Sequence, residues 1–143
     1  PGLDGRKMSK SYGNAISLGM SADETVQVIR KAPTDAERTI TFDPENRPGI
    51  ASLLTTAAVC SGRTPQAIAA EIGEAGAGAL KALTAEAVNE FLSEHRQRRA
   101  ELAQDRGAVD AILTAGNKRA EVIAEATLDE VRAAMGMDYG RTR

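Results

Sequence analysis

The sequence predicts a mostly α-helical protein: a small helical bundle preceded by a flexible glycine-rich loop, a short helix and an irregular connector. Three observations carry this. Of 143 residues, 42% are hydrophobic and much of that is Ala with Leu, Ile and Val, while only 2 Tyr and 2 Phe and no Trp occur. A core so poor in rings suits closely packed helices better than a sandwich or barrel. From about Pro48 onward apolar residues recur three and four apart, and before Pro48 glycine and proline interrupt every period.

Residues 1–20 carry Gly2, Gly5, Gly13 and Gly19 and show no helical or alternating pattern, so a loop is expected there. Ser21-Ala22-Asp23-Glu24 has the form of a capping box and opens a helix with Val26, Val28 and Ile29 as its apolar face. Pro33 stops it. Residues 39–42 read as extended and run into the turn-rich Asp43-Pro44-Glu45-Asn46-Arg47-Pro48-Gly49, where Asp43 and Glu45 suit turn and cap positions.

Ile50, Leu53, Leu54, Ala57 and Ala58 mark the next helix, ending near Gly62, and Thr64-Pro65 caps and starts another through Ile68 and Ile72. Gly73 to Gly78 reads as a hinge-like break. Leu80 and Leu83 supply a turn before Thr84 caps a longer helix with Val88, Phe91, Leu92, His95 and Leu102 on one side. That places His95 in the core as a packed, hydrogen-bonded residue. Gly107 then separates a last helix, whose stripe runs through Val109, Ile112, Leu113, Gly116, Ala120, Ile123, Val131 and Met135 to a stop at Gly136. The change of pattern divides the chain into 1–47 and 48–143.

Against 20 Asp and Glu stand 18 Lys and Arg, a net charge of -2, so any contact with nucleic acid must be local. The single cysteine, Cys60, cannot form an internal bridge and reads as a buried structural thiol. No apolar run is long enough to span a membrane and the opening residues lack a signal sequence, which makes a cytoplasmic, reducing setting the default. The chain opens at Pro1 inside the glycine-rich segment and reads as a piece of something longer.

Chemistry is concentrated in Lys7-Met8-Ser9-Lys10-Ser11, bounded by Gly5 and Gly13. Two ammonium groups and two hydroxyls on such a loop can close over a polyphosphate, each lysine acting as a rotatable point charge. A solvated basic loop is the plainer reading of the same five residues. Arg96, Arg98 and Arg99 with Lys118 and Arg119 are the densest basic positions of the helical part. Antiparallel packing of the last two helices would bring them together as an RNA contact; otherwise they form a solvated face.

The run Gly2-Leu3-Asp4-Gly5-Arg6-Lys7-Met8-Ser9-Lys10-Ser11-Tyr12-Gly13-Asn14-Ala15-Ile16 closely resembles the signature loop of class I aminoacyl-tRNA synthetases, shared by the tyrosyl and tryptophanyl branches. The segment from Ile40 through Asp43-Pro44-Glu45-Asn46-Arg47-Pro48-Gly49 to Leu53-Leu54 resembles the tryptophanyl family, and Gly116-Asn117-Lys118-Arg119-Ala120 onward is similar to that family's C-terminal helix. Ala36 and His95 depart from the family's pattern.

The resemblance implies the C-terminal portion of a tryptophan--tRNA ligase: residues 1–47 as the end of the catalytic region and 48–143 as an anticodon-binding-type helical domain. The family's His-Ile-Gly-His-type adenosine cradle has no counterpart here. It further implies that the full enzyme uses ATP with Mg²⁺, L-tryptophan and tRNA(Trp) and acts as a homodimer, with no protein-held metal in this chain. The piece by itself is expected to be monomeric and inactive. Lys7, Met8, Ser9, Lys10 and Ser11 would bind ATP, with Lys7 and Lys10 catalytic; Arg96, Arg98, Arg99, Lys118 and Arg119 would face tRNA. A tyrosyl-type synthetase and a stand-alone helical RNA- or protein-interaction module are the alternatives.

Overall fold

The computed structural model describes residues 2–137, so the last six positions of the predicted 48–143 segment lie outside the described residues. Among the described residues six α-helices follow one another: α1 (Ala22–Arg30), α2 (Pro48–Ser61), α3 (Pro65–Ile72), α4 (Gly76–Phe91), α5 (Ser93–Gln104) and α6 (Arg106–Ala134). Short 3₁₀ turns occupy Lys10–Tyr12 and Gly73–Ala75, and there is no strand among the described residues. None of their helices is long and apolar enough to cross a membrane. The chain divides into two compact units between Gln97 and Arg98.

The first unit is built around α2, in which Ile50, Ala51, Ser52, Leu53, Leu54, Ala57 and Ala58 are all buried. A helix apolar around most of its circumference has to lie inside, and α2 packs against both α3 and α4, while α1 packs on α4. Ile29 of α1, Ile68 of α3 and Leu80 of α4 complete the solvent-free centre. The expected capping box holds: Ser21 Oγ accepts the Glu24 N–H at 3.2 Å and Glu24 Oε2 accepts the Ser21 N–H at 2.7 Å. Thr64 caps α3 through the Ala67 N–H at 3.2 Å, and Gly62 ends α2 at φ 69°.

Thr84 does not cap a helix. It lies inside the unbroken α4 with no exposure, and its hydroxyl donates to the Leu80 carbonyl at 2.8 Å, the back-bond to i−4 that lets threonine sit in a helix interior. The interruption falls later, at Leu92, which ends α4 with ψ near 0°. The single long helix expected beyond Thr84 is therefore two, and residues after Leu92 do not continue the apolar face of α4. His95 is exposed, not a core residue, and α5 buries nothing. Phe91, expected on that face, is 59% exposed.

The last helix starts at Arg106, capped by Asp105, whose Oδ1 accepts the Ala108 N–H at 2.9 Å; Gly107 lies within its first turn and is not the separator. Its apolar stripe is present in sequence, yet no residue of α6 is buried, with Ile112 and Ile123 both exposed. Cys60 is half-buried, and burial pushes its thiol above the usual range.

Between α1 and α2 the chain has no regular structure, and its polar groups are gathered by Arg47, whose side chain is 7% exposed. Arg47 Nε and Nη2 donate to the two carboxylate oxygens of Asp35 at 2.8 and 2.7 Å. Its Nη1 donates to the Thr39 carbonyl at 2.7 Å and to Thr41 Oγ1 at 2.9 Å. Asp43 makes the turn before it, accepting the Glu45 and Asn46 N–H groups. Ile40, read as extended, donates its N–H to the Gly73 carbonyl at 2.8 Å and is buried.

Removing a partner from a buried ion pair costs about 3–5 kcal/mol, and less where the survivor reaches water, as Asp35 does. Arg47→Ala is therefore expected to lower unfolding stability by about 2–3 kcal/mol at neutral pH, measured by urea denaturation. Arg47 holds the Asp35 carboxyl below its usual 3.8. A depressed carboxylate stabilises above its unfolded pKa and loses that contribution as pH falls, so the gap between wild type and variant narrows below pH 3.8.

Candidate functional site

The Lys-Met-Ser-Lys-Ser loop is fastened at its base. Leu3 is buried in the α2 core, and its N–H donates to the Asn14 carbonyl at 2.8 Å, bringing the two ends of the loop side by side. Ser52 Oγ on α2 donates to the Gly2 carbonyl at 2.6 Å. Gly5 adopts φ +80° against the first turn of α2, where a Cβ would lie 2.7 Å from that of Pro48. A left-handed backbone and a close approach both demand glycine there.

Inside this base lies Asn14, 5% exposed. Its Oδ1 accepts the Ser9 N–H at 2.9 Å, and its Nδ2 donates to Asp4 Oδ1 at 2.8 Å and to the Lys7 carbonyl at 3.2 Å. Asp4 also accepts from Arg6 Nε at 2.8 Å, and the Arg6 guanidinium lies over the Tyr12 ring, 5.0 Å from its centroid. The hydrogen bond from Asn14, helped by Arg6, lowers the Asp4 carboxyl to about 2, so it is charged at any physiological pH.

Residues 6–13 project from that base. Lys7 and Lys10 are exposed, and no ion pair among the described residues engages either ammonium. Ser9 and Ser11 face each other with Oγ atoms 2.9 Å apart. Met8 borders an apolar groove of about 200 Å³, lined by Leu3, Ile16, Cys60, Val88 and Phe91. The one carboxylate within the loop is occupied by Arg6 and Asn14, so two cationic side chains and two hydroxyls stand free of a competing anion.

The basic residues of the helical part fall in different surroundings within their own units. Arg96 is half-buried and internal to the first unit, where it donates to the Met20 carbonyl at 3.1 Å, to Thr25 Oγ1 at 2.9 Å and to Asn89 Oδ1 at 2.9 Å. Arg98 pairs with Glu101 at 3.2 Å, and Arg99, Lys118 and Arg119 are exposed. Sequence reasoning missed Asp4, Asn14 and Arg47 as organising residues. All three stood inside the motif segments, but their value comes from partners up to twelve positions away, which no local pattern encodes.

Residues 1–93 match the family model described as tRNA synthetases class I (W and Y), and the chain belongs to that family. Curated proteins similar to it include tryptophan--tRNA ligases. The chain is 39% identical over 135 residues to tryptophan--tRNA ligase 1 of Streptomyces coelicolor, covering 92% of this chain and 39% of that one. It is 36% identical over 141 residues to tryptophan--tRNA ligase of Wolinella succinogenes, covering 95% and 43%. The crystal structure of tryptophanyl-tRNA synthetase from Mycoplasma pneumoniae matches with a TM-score of 0.69 at 26% identity, covering 92% of this chain and 40% of that one. The chain thus spans about two fifths of the length of these relatives.

The base of the loop has a direct test. Gly5→Ala combines left-handed strain of about 1–2 kcal/mol with a steric clash, whereas Gly13→Ala, at φ +62° with open space around it, has the strain alone. Thermal unfolding is expected to show Gly5→Ala as the more destabilised of the two.

Proposed function

We propose that this chain supplies the polyphosphate-binding loop and tRNA-facing helices of a tryptophan-activating synthetase. The observation that carries the reading is the pair of exposed lysines, Lys7 and Lys10, on a loop whose own carboxylate is engaged elsewhere. In the proposed reaction the tryptophan carboxylate attacks the α-phosphorus of ATP and pyrophosphate departs; a terminal ribose hydroxyl of tRNA(Trp) then attacks the acyl carbon of the adenylate, forming the ester and releasing AMP. Negative charge grows on the departing oxygens, where fixed positive charge has its largest effect. Lys7 and Lys10 meet that charge, with Lys10 the principal group; Ser9 and Ser11 exchange their mutual contact for phosphate oxygens; Met8 packs.

Mg²⁺ would arrive with the nucleotide as its counter-ion. Residues 1–47 would belong to the catalytic side and residues 48–143 to the helical, anticodon-facing side. Arg98, Arg99, Lys118 and Arg119 remain the candidates for tRNA, reaching phosphates and splayed bases from helix surfaces. Arg96, whose guanidinium donates to acceptors on Met20, Thr25 and Asn89, serves the fold instead.

Lys10→Ala, placed in an enzyme with a complete catalytic region, is expected to slow tryptophan-dependent ATP–pyrophosphate exchange by roughly 10²–10³-fold and leave the KM for tryptophan unchanged. Equal losses in rate and in tryptophan binding would refute the assignment. The 143 residues alone are expected to show no exchange, since one loop provides neither an adenosine nor an indole pocket. Lys118→Ala with Arg119→Ala should weaken tRNA binding and reduce the salt slope by about 2, while altered anticodon bases should weaken binding at unchanged slope.

A further inference from the structure

We propose that Asn14 is the positioning residue of the loop, a single buried carboxamide that sets the path of the chain from Lys7 to Ser9 and thereby aims the two lysines. This rests on the phosphate-loop reading above and deepens it. A carboxamide offers two N–H donors and one acceptor oxygen. Here the oxygen takes the Ser9 N–H, one donor goes to the Lys7 carbonyl and the other to the Asp4 carboxylate, so one side chain ties the loop at three points. Two of those points flank Met8, and the third, through Asp4 and Arg6, continues to Tyr12 in the 3₁₀ turn that begins with Lys10.

The surroundings are shaped for this residue. A Cβ at Gly2 would lie 2.4 Å from Asn14 Nδ2, so the glycine makes the space the carboxamide fills. Asp at this position would keep the acceptor for Ser9 but turn an oxygen toward the Lys7 carbonyl and the Asp4 carboxylate, replacing two attractions by two repulsions. Ala or Ser would leave the Ser9 N–H and the Lys7 carbonyl without their partner. Asn14 touches neither ammonium, and its effect on chemistry runs through backbone atoms of Lys7 and Ser9. Small errors of aim are costly, because a displacement of about 1 Å at a reacting centre lowers rates by about 10²-fold.

The test compares Asn14→Asp, the swap Asp4→Asn with Asn14→Asp, and Lys10→Ala in tryptophan-dependent ATP–pyrophosphate exchange by an enzyme with a complete catalytic region. Asn14→Asp is expected to lower kcat roughly 100-fold at unchanged KM for tryptophan. The swap, which restores a donor opposite the new carboxylate, is expected to recover at least about tenfold of that loss, as coupled neighbours do. If Lys10→Ala slows exchange and Asn14→Asp does not, or if the swap is no better than the single variant, the positioning role falls and the phosphate loop stands. If Lys10→Ala has no effect, both readings fall. A second measurement needs no variant and no activity: in the 143-residue chain the Ser9 amide should exchange with solvent at least about tenfold more slowly than that of exposed Ser11, as a hydrogen-bonded, part-buried N–H does. Equal exchange at the two positions would overturn the proposal even if every variant failed to fold.

Discussion

A buried guanidinium holds together the part of this protein that has no regular structure. The connector between α1 and α2 has few backbone partners of its own, and a chain in that condition normally stays at the surface. Arg47 changes this by presenting donors to Asp35, Thr39 and Thr41 from the residue just before α2. The connector is thereby wrapped onto the start of the central helix, and Gly49 approaches the Pro33 carbonyl so closely that a Cβ would lie 2.4 Å from it. With that end of α2 fixed, Pro48 becomes a wall for Gly5 and Ser52 a donor for Gly2. The Lys-Met-Ser-Lys-Ser loop is therefore supported by the same end of the helix that the connector encloses.

Much of this was legible in the chain itself. Caps were readable because their chemistry is local: Ser21 with Glu24, Thr64 with Pro65 and Gly62 each act within one turn. Thr84 is ambiguous for the opposite reason, since the hydroxyl that suits a cap suits equally well a back-bond inside a helix, and only its burial against Leu53 decides. The apolar period runs on through Leu92 to His95, and nothing in the residues around Leu92 signals the break that leaves His95 exposed. The stripe on α6 is present as a pattern, but periodicity reports which residues share a face and is silent on what covers it.

The loop shows how charge can be apportioned over a short stretch. Five ionisable side chains, Asp4, Arg6, Lys7, Lys10 and Tyr12, fall within nine residues. Asp4, Arg6 and Tyr12 are spent on one another, an ion pair continued by a cation–π contact, and Asn14 completes the acceptor set of the carboxylate. Had Asp4 turned outward it would have offered either lysine an intramolecular counter-ion. Lysine, with its flexible stem and strongly hydrated head, suits the exposed positions, while the planar arginine fork suits the internal pair.

The two glycines with positive φ that bracket the basic residues, Gly5 at +80° and Gly13 at +62°, give the loop a stereochemical signature. Both torsions belong to the mirror image of the backbone region that L-residues prefer. A chemically synthesised chain carrying D-alanine at Gly13, where the surroundings are open, would adopt the same torsion by preference while having fewer conformations to lose on folding, an advantage of about 0.4–1 kcal/mol. Handedness is thus a design variable in this loop, separate from both its charge and its sequence motif.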